Sequence, residues 1–375
     1  MFRNLTVLLL DNNNISGPIP ANISQLLNLS TLDLTNNDLA GAIPYQLSKL
    51  PSIIQLYLGN NHLTNPDPAK FSPMPTLQIL QLYGNNLHGT FPQFILNRTS
   101  VRMVVLDLSD NAFSGSIPEN LPDVVPNLER LDLSSNMFFG VIPQSLGNLT
   151  DLTDMELGSN MLSGCLPMSF SRMNKMDTFD VGDNNLSSNI PPEFFSNWTQ
   201  LIFFNISNNI FSGSIPPEIS MWKSLEYLII SSNRFNGTIP KELGFSQLYV
   251  LDFSNNYLTG AGCSCYSPVS SSFVVNGGQP TGGGGRRWST SRRRRAGAAV
   301  QLRCSLLGFA APPLLIPWRA GANEEVVVDE MTTTGEGGTD GVVGEVKVAT
   351  EIGEGRPDGA TCDGAVARSG KKIRI

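Results

Sequence analysis

Histidine is nearly missing from this 375-residue chain. Only His62 and His88 occur, so a three-histidine metal site is excluded and any histidine general base must be one of them. Charged residues are sparse too, at 15% of the chain. Cysteine is scarce and irregularly spaced: Cys165, Cys263, Cys265, Cys304 and Cys362 give neither a zinc-ligand spacing nor an even-numbered disulfide framework. Cys165, in LSGCLP, reads as a free surface thiol, with a bridge to a cysteine of the C-terminal tail as the alternative. Long apolar runs are also lacking. The best candidate, CSLLGFAAPPLLIPW over 304–318, is 15 residues long and is broken by Pro312, Pro313 and Pro317, whereas a membrane span needs roughly 18 or more. Beyond residue 260 there is no glycine-rich loop followed by a strand lysine, no H-R-D and no D-F-G, which excludes a kinase domain there. Together these absences make catalysis a poor expectation, and no cofactor or metal is called for.

What is present divides sharply. Residues 1–260 hold 11 Lys and Arg against 21 Asp and Glu, whereas residues 261–375 hold 14 against 11 with most of the glycine. The composition predicts two parts: a folded segment over 1–260 and a Gly/Arg-rich, then Gly/Glu-rich tail over 261–375 that is largely disordered. Arg286, Arg287 and Arg292 to Arg295 lie in the tail, with no scaffold that would make a nucleic-acid surface of them, so no nucleic acid is expected as a partner.

The first segment is periodic. L-x-x-L-x-L-x-x-N-x-L-x-G-x-I-P recurs as LTVLLLDNNNISGPIP from Leu5, LSTLDLTNNDLAGAIP from Leu29 and LERLDLSSNMFFGVIP from Leu128. Its asparagines are Asn13, Asn37, Asn61, Asn85, Asn111, Asn136, Asn160, Asn184, Asn209, Asn233 and Asn256, at intervals of 23 to 26 residues, so eleven copies tile the segment. Each leucine face is too small to be buried within one copy and must stack on its neighbours. Asparagine carries donor and acceptor together and can satisfy backbone groups where the chain turns away from the strand. The third copy, LTNPDP, lacks the glycine, the eighth reads LSSNIP, and the last stops at LTGAGC. Local loosening is expected at these three.

These motifs resemble the leucine-rich repeat, and the G-x-I-P ending is similar to its plant-specific class, which includes ectodomains of receptor-like kinases and receptor-like proteins and secreted polygalacturonase inhibitors. The resemblance implies an α/β solenoid, a right-handed superhelix with a parallel sheet on its concave face. It also implies a cell-surface or extracellular setting and recognition of a peptide or protein ligand, with a co-receptor as a second partner. Inhibition of polygalacturonase-type cell-wall-degrading enzymes is the alternative role. The family's N-terminal cap carries a cysteine pair after a signal peptide. Here the repeat register starts at once and no cysteine precedes Cys165, so neither cap nor leader is expected in this chain.

Side chains alternate across a strand, which assigns the residues between the leucines to the concave face. In copies six to eight these are Glu129, Arg130, Asp132, Thr153, Asp154, Glu156, Asp177, Thr178, Asp180 and Asp183; in copies nine to eleven, Ile202, Phe203, Asn205, Tyr227, Ile229, Tyr249 and Val250. Glu129, Asp154, Glu156, Asp177 and Asp180 beside Phe203, Tyr227 and Tyr249 are the candidate ligand contacts: the acids steer a basic ligand and the rings anchor it. Aspartate in L-D-L recurs at Asp33, Asp107, Asp132, Asp180 and Asp252, so part of the acidic stripe belongs to the repeat itself. The carboxylates resemble a glycosidase pair in composition, but an open face is not expected to shift their pKa values enough for hydrolysis. Sequons for N-glycosylation stand at Asn4, Asn14, Asn22, Asn28, Asn97, Asn148, Asn185, Asn197, Asn205 and Asn236, and a glycan on Asn205 would obstruct the aromatic stripe.

Overall fold

A computed structural model of the chain describes residues 4–96, 101–240, 243 and 248–259. The tail with its cysteines and arginine cluster, and the sequon at Asn97, lie outside these residues. Each L-x-L places three residues in a strand. The eleven strands, from Val7–Leu9 to Val250–Asp252, pair in parallel and in strict chain order. Register is kept across the whole sheet, with Arg130 opposite Asp154, then Thr178, Phe203, Tyr227 and Val250. The middle residue of the inner strands, such as Leu56, Leu131, Met155, Phe179 and Leu228, is buried in one continuous core. The residues on either side of it therefore line the opposite, open face. This is the face that the repeat resemblance makes concave.

Asparagine does what its two-sided amide allows. Asn160 Nδ2 donates to the Leu157 and Gly158 carbonyls of its own turn and, at 3.0 Å, to Leu133 O of the preceding coil. Its Oδ1 accepts from Phe138 N at 2.9 Å. The same bridge recurs from Asn37 to Asn256, so each asparagine joins two coils through otherwise orphaned backbone groups.

The chain then enters a second set of short parallel strands on its way round. Unlike the main sheet, this set is split: three strands ending at His62–Thr64 are separate from eight that begin at His88–Gly89. The break falls at the third copy, where Asn65 stands in place of the usual glycine and Pro66 follows. Asn65 patches the gap with its side chain, Nδ2 donating to His88 O at 2.6 Å and Oδ1 accepting from His88 N at 2.8 Å. In the eighth copy the strand pairing persists, but Ser188 takes the glycine's place at φ 122°.

The helical part of the expected α/β solenoid is mostly not α. Among the described residues, five return segments are five-residue 3-10 helices, each preceded by a proline, as in Pro143 before Gln144–Asn148, and only Leu121–Val124 and Pro192–Asn197 are α. A 3-10 helix advances about 2.0 Å per residue against 1.5 Å in an α-helix, so it covers more of the return path with few residues. Buried rings enter the core at Phe71, Phe91, Phe113 and Phe138 and are denser from the seventh coil onward. Trp198 and Trp222 are fully buried, and their indole N-H groups donate to Phe170 O at 3.0 Å and Phe194 O at 3.3 Å. Among the described residues no helix is long and apolar enough to cross a membrane. Cys165 is not the free thiol expected from sequence: it is disulfide-bonded, and its partner lies outside the described residues.

Candidate functional site

Three rows of residues run across the strands on the open face. The row at the first strand position reads Arg130, Asp154, Thr178, Phe203, Tyr227 and Val250 from the sixth coil to the eleventh. The row at the third position reads Asp107, Asp132, Glu156, Asp180, Asn205, Ile229 and Asp252 from the fifth coil. One residue before the strands lie Glu129, Thr153, Asp177, Ile202, Glu226 and Tyr249, joined coil to coil by backbone hydrogen bonds of 2.7–2.9 Å. Neighbouring parallel strands are about 4.8 Å apart, so residues in one row are in reach of their neighbours.

Not every acid on this face is available to a ligand. Asp33, Asp107, Asp132, Asp180 and Asp252 each accept a hydrogen bond from the backbone N-H two residues on, at 2.8–3.1 Å. They stabilise the turn out of the strand, a local role that aspartate side chains favour. Asn205 takes over that role in the ninth coil: Oδ1 accepts from Ser207 N and Oγ, and Nδ2 donates to Asp180 Oδ1 at 3.0 Å. Asp180 is thus a turn residue first and a candidate contact second. Asp183 is not on the face at all, because it occupies the left-handed turn position just before Asn184, at φ 53°.

Glu156 differs. It sits between Asp132 and Asp180 in the third row, and burial together with those two carboxylates pushes its pKa up to about 8, with Arg130 offsetting part of the effect. The expectation that an open face leaves its carboxylates unshifted is therefore wrong here. The causes are local: burial penalises the charged form, and the flanking carboxylates add like charge. Asp177 is raised by burial, then by Asp154 and Glu226, and Asp180 is raised by burial against the lowering effect of its hydrogen bonds. Arg130, the cation within the three rows among the described residues, reaches Asp154 at 3.7 Å. Glu129 is exposed.

The aromatic residues form a connected wall. Ring centroids of Phe203 and Tyr227 are 5.7 Å apart and those of Tyr227 and Tyr249 6.2 Å, tilted by 41° and 40° so that the rings do not cover one another. Tyr249, at the end of this wall against Tyr227, is 46% exposed. Glu226 belongs to this wall and escaped the sequence reading. It stands one residue after Leu225, as Glu129 does after Leu128, and extending the register to the tenth copy would have found it. Burial, Glu226 and Tyr249 together raise Tyr227. Eight sequon asparagines, Asn4, Asn14, Asn22, Asn28, Asn148, Asn185, Asn197 and Asn236, are exposed, whereas Asn205 is half-buried with both amide atoms engaged.

The family profile described as Leucine rich repeat matches residues 3–63, 27–87 and 126–186, and a second profile of the same description matches 102–124, 200–222 and 224–246. No curated relative matches the chain by sequence. Among solved structures, the plant peptide hormone receptor RGFR1 in complex with RGF2 is 30% identical over 68% of this chain, with a TM-score of 0.64. A TDR receptor is 32% identical over 68%, also at 0.64, and the Arabidopsis receptor kinase HAESA, in complex with the peptide hormone IDA and the co-receptor SERK1, is 29% identical over 68% at 0.61. The chain spans 41%, 44% and 42% of those three structures respectively.

Proposed function

The chain belongs to the leucine-rich-repeat family, and from that premise we propose that its open face binds a peptide or protein ligand in recognition at the cell surface. The binding surface is the stretch from the sixth to the eleventh coil, with Phe203, Tyr227 and Tyr249 as anchors, Glu129, Asp154 and Asp177 as the charged flank, and Glu156, held largely protonated at neutral pH, as a polar contact among them. Asp180 contributes to the field there while holding its turn. The observation that carries this reading is the three-ring wall bordered by carboxylates that outnumber the cations beside them, Arg130 and Lys175, each already paired with an aspartate. Buried rings anchor interfaces, and a charged rim of one sign raises encounter rate and selects partners. The solved relatives with a peptide hormone, and in one case a co-receptor, support the same ligand class. The role is recognition without catalysis, since the aspartates of the third row are committed to turns and Glu156 owes its raised pKa to burial and then to those same neighbours.

A displayed library of random peptides, panned on the intact chain, tests the proposal. Selected peptides should lose at least tenfold in affinity on the F203A/Y227A double variant. Retention of full affinity by every selected peptide would place the binding surface elsewhere.

A further inference from the structure

Resting on that reading of the face, the spacing of its free acids narrows the ligand. The row before the strands alternates: Glu129, Asp177 and Glu226 fall in coils six, eight and ten, with Thr153, Ile202 and Tyr249 between and beyond them. Among the described residues none of the three is in an ion pair, and Lys175, the cation whose charge Glu129 feels, is taken by Asp151 at 2.6 Å. Two strand spacings of about 4.8 Å give a carboxylate every ~9.6 Å along the row. A polyproline II chain has three residues per turn at about 3.1 Å each, so one of its edges repeats every ~9.3 Å. A β-strand repeats one edge every two residues, about 6.7 Å, and places residues three apart on opposite faces. The aromatic wall makes an independent case for the same backbone. Tilted, uncovered rings on three adjacent coils are the surface that proline-rich, preordered segments use.

We propose that the ligand is a cationic peptide in polyproline II conformation that crosses the strands with Lys or Arg at every third position, its basic side chains on Glu129, Asp177 and Glu226 and its prolines toward Phe203, Tyr227 and Tyr249. The periodicity of the acids selects the register, and the preordered backbone reduces the entropy lost on binding.

The test compares three synthetic peptides on the intact chain by isothermal titration calorimetry: four Arg-Pro-Pro units, the same composition with all arginines adjacent, and four Glu-Pro-Pro units. The periodic arginine peptide should bind at least tenfold more tightly than the blocked one, and the glutamate peptide should not bind. In the E129Q/D177N/E226Q variant, the periodic peptide should fall to the affinity of the blocked one. Equal affinities of the two arginine peptides for the unaltered chain, or no binding of either, would overturn the proposal even if that variant failed to fold. Library peptides that depend on Phe203 and Tyr227 but carry no basic residue three apart would overturn it while leaving peptide recognition in place. Library peptides that ignore both rings would remove the underlying reading as well.

Discussion

Ser188 holds a position at which glycines in the other copies, among them Gly140, Gly164 and Gly213, sit at φ 82–85°. A serine at φ 122° pays for its Cβ in strain, of order 1–3 kcal/mol, that glycine escapes. Ser188→Gly should therefore stabilise the chain by about 1 kcal/mol, raising the denaturant midpoint with an unchanged slope; an unchanged or lowered midpoint would show that the serine is not strained. Glu156 provides a pH effect whose sign can be worked out. Its folded pKa of about 8 lies above the ordinary 4.5, so folding favours the protonated form. The stabilisation is complete below pH 4.5 and is lost as pH rises through 8, at up to about 1.4 kcal/mol per pH unit. Asp177 and Asp180, raised as well, act in the same direction. The melting temperature should fall between pH 5 and pH 8.5, and Glu156→Gln should flatten that fall; an identical slope in the variant would contradict the assignment. Asn205 should be found bare by glycopeptide mass spectrometry of chain made in a secretory host, while exposed Asn148 and Asn185 are occupied.

At the level of the coil, the asparagine bridge is the connection whose loss should cost most per atom removed. Asn160→Ala takes away a donor to three carbonyls and the acceptor for Phe138 N, leaving backbone groups unpaired. A cost of about 2–4 kcal/mol is expected in chemical denaturation, and Asn160→Asp should be nearly as damaging because a carboxylate cannot donate. This bridge, the strands and most of the open-face rows, with Asp183 wrongly added and Glu226 missed, were legible in sequence, because a period near 24 residues turns neighbours in space into equivalent letters. The aromatic wall was legible for the same reason, as Phe203, Tyr227 and Tyr249 fall at neighbouring positions of successive copies. Other features were not legible in single letters. Glu156 is shifted first by burial and then by Asp132 and Asp180, each 24 residues away, and neither effect is visible in its own letter. The 3-10 form of the return segments follows from their brevity and from the prolines before them, a geometric limit that helix periodicity does not register. A bridge at Cys165 stood only as the alternative because its nearest cysteine in sequence is Cys263, far along the chain.

Because every coil touches only the coils beside it, the molecule behaves as a one-dimensional stack whose weakest junction sets where it opens. The main sheet is continuous from the first coil to the eleventh, but the second set of strands is interrupted between the third and fourth. There, two side-chain hydrogen bonds from Asn65 replace a strand ladder, and the third copy lacks the 3-10 helix found in its predecessors. Fewer backbone bonds and less regular packing mean a smaller interface term at that junction, so sub-global opening should begin there. Hydrogen exchange read by mass spectrometry should show the amides of 64–75 exchanging at least tenfold faster than those of Met137–Val141, which lie in an unbroken part of the same strand set. Replacing Asn65 by alanine should widen the difference by removing the patch while leaving the leucine core intact. Uniform protection across the two regions would mean that the continuous sheet alone couples all eleven coils, and the junction would then carry no mechanical weakness. If the weakness is present, the first three coils can open while the face from the sixth coil onward, which carries the rings and the alternating acids, stays folded and able to bind.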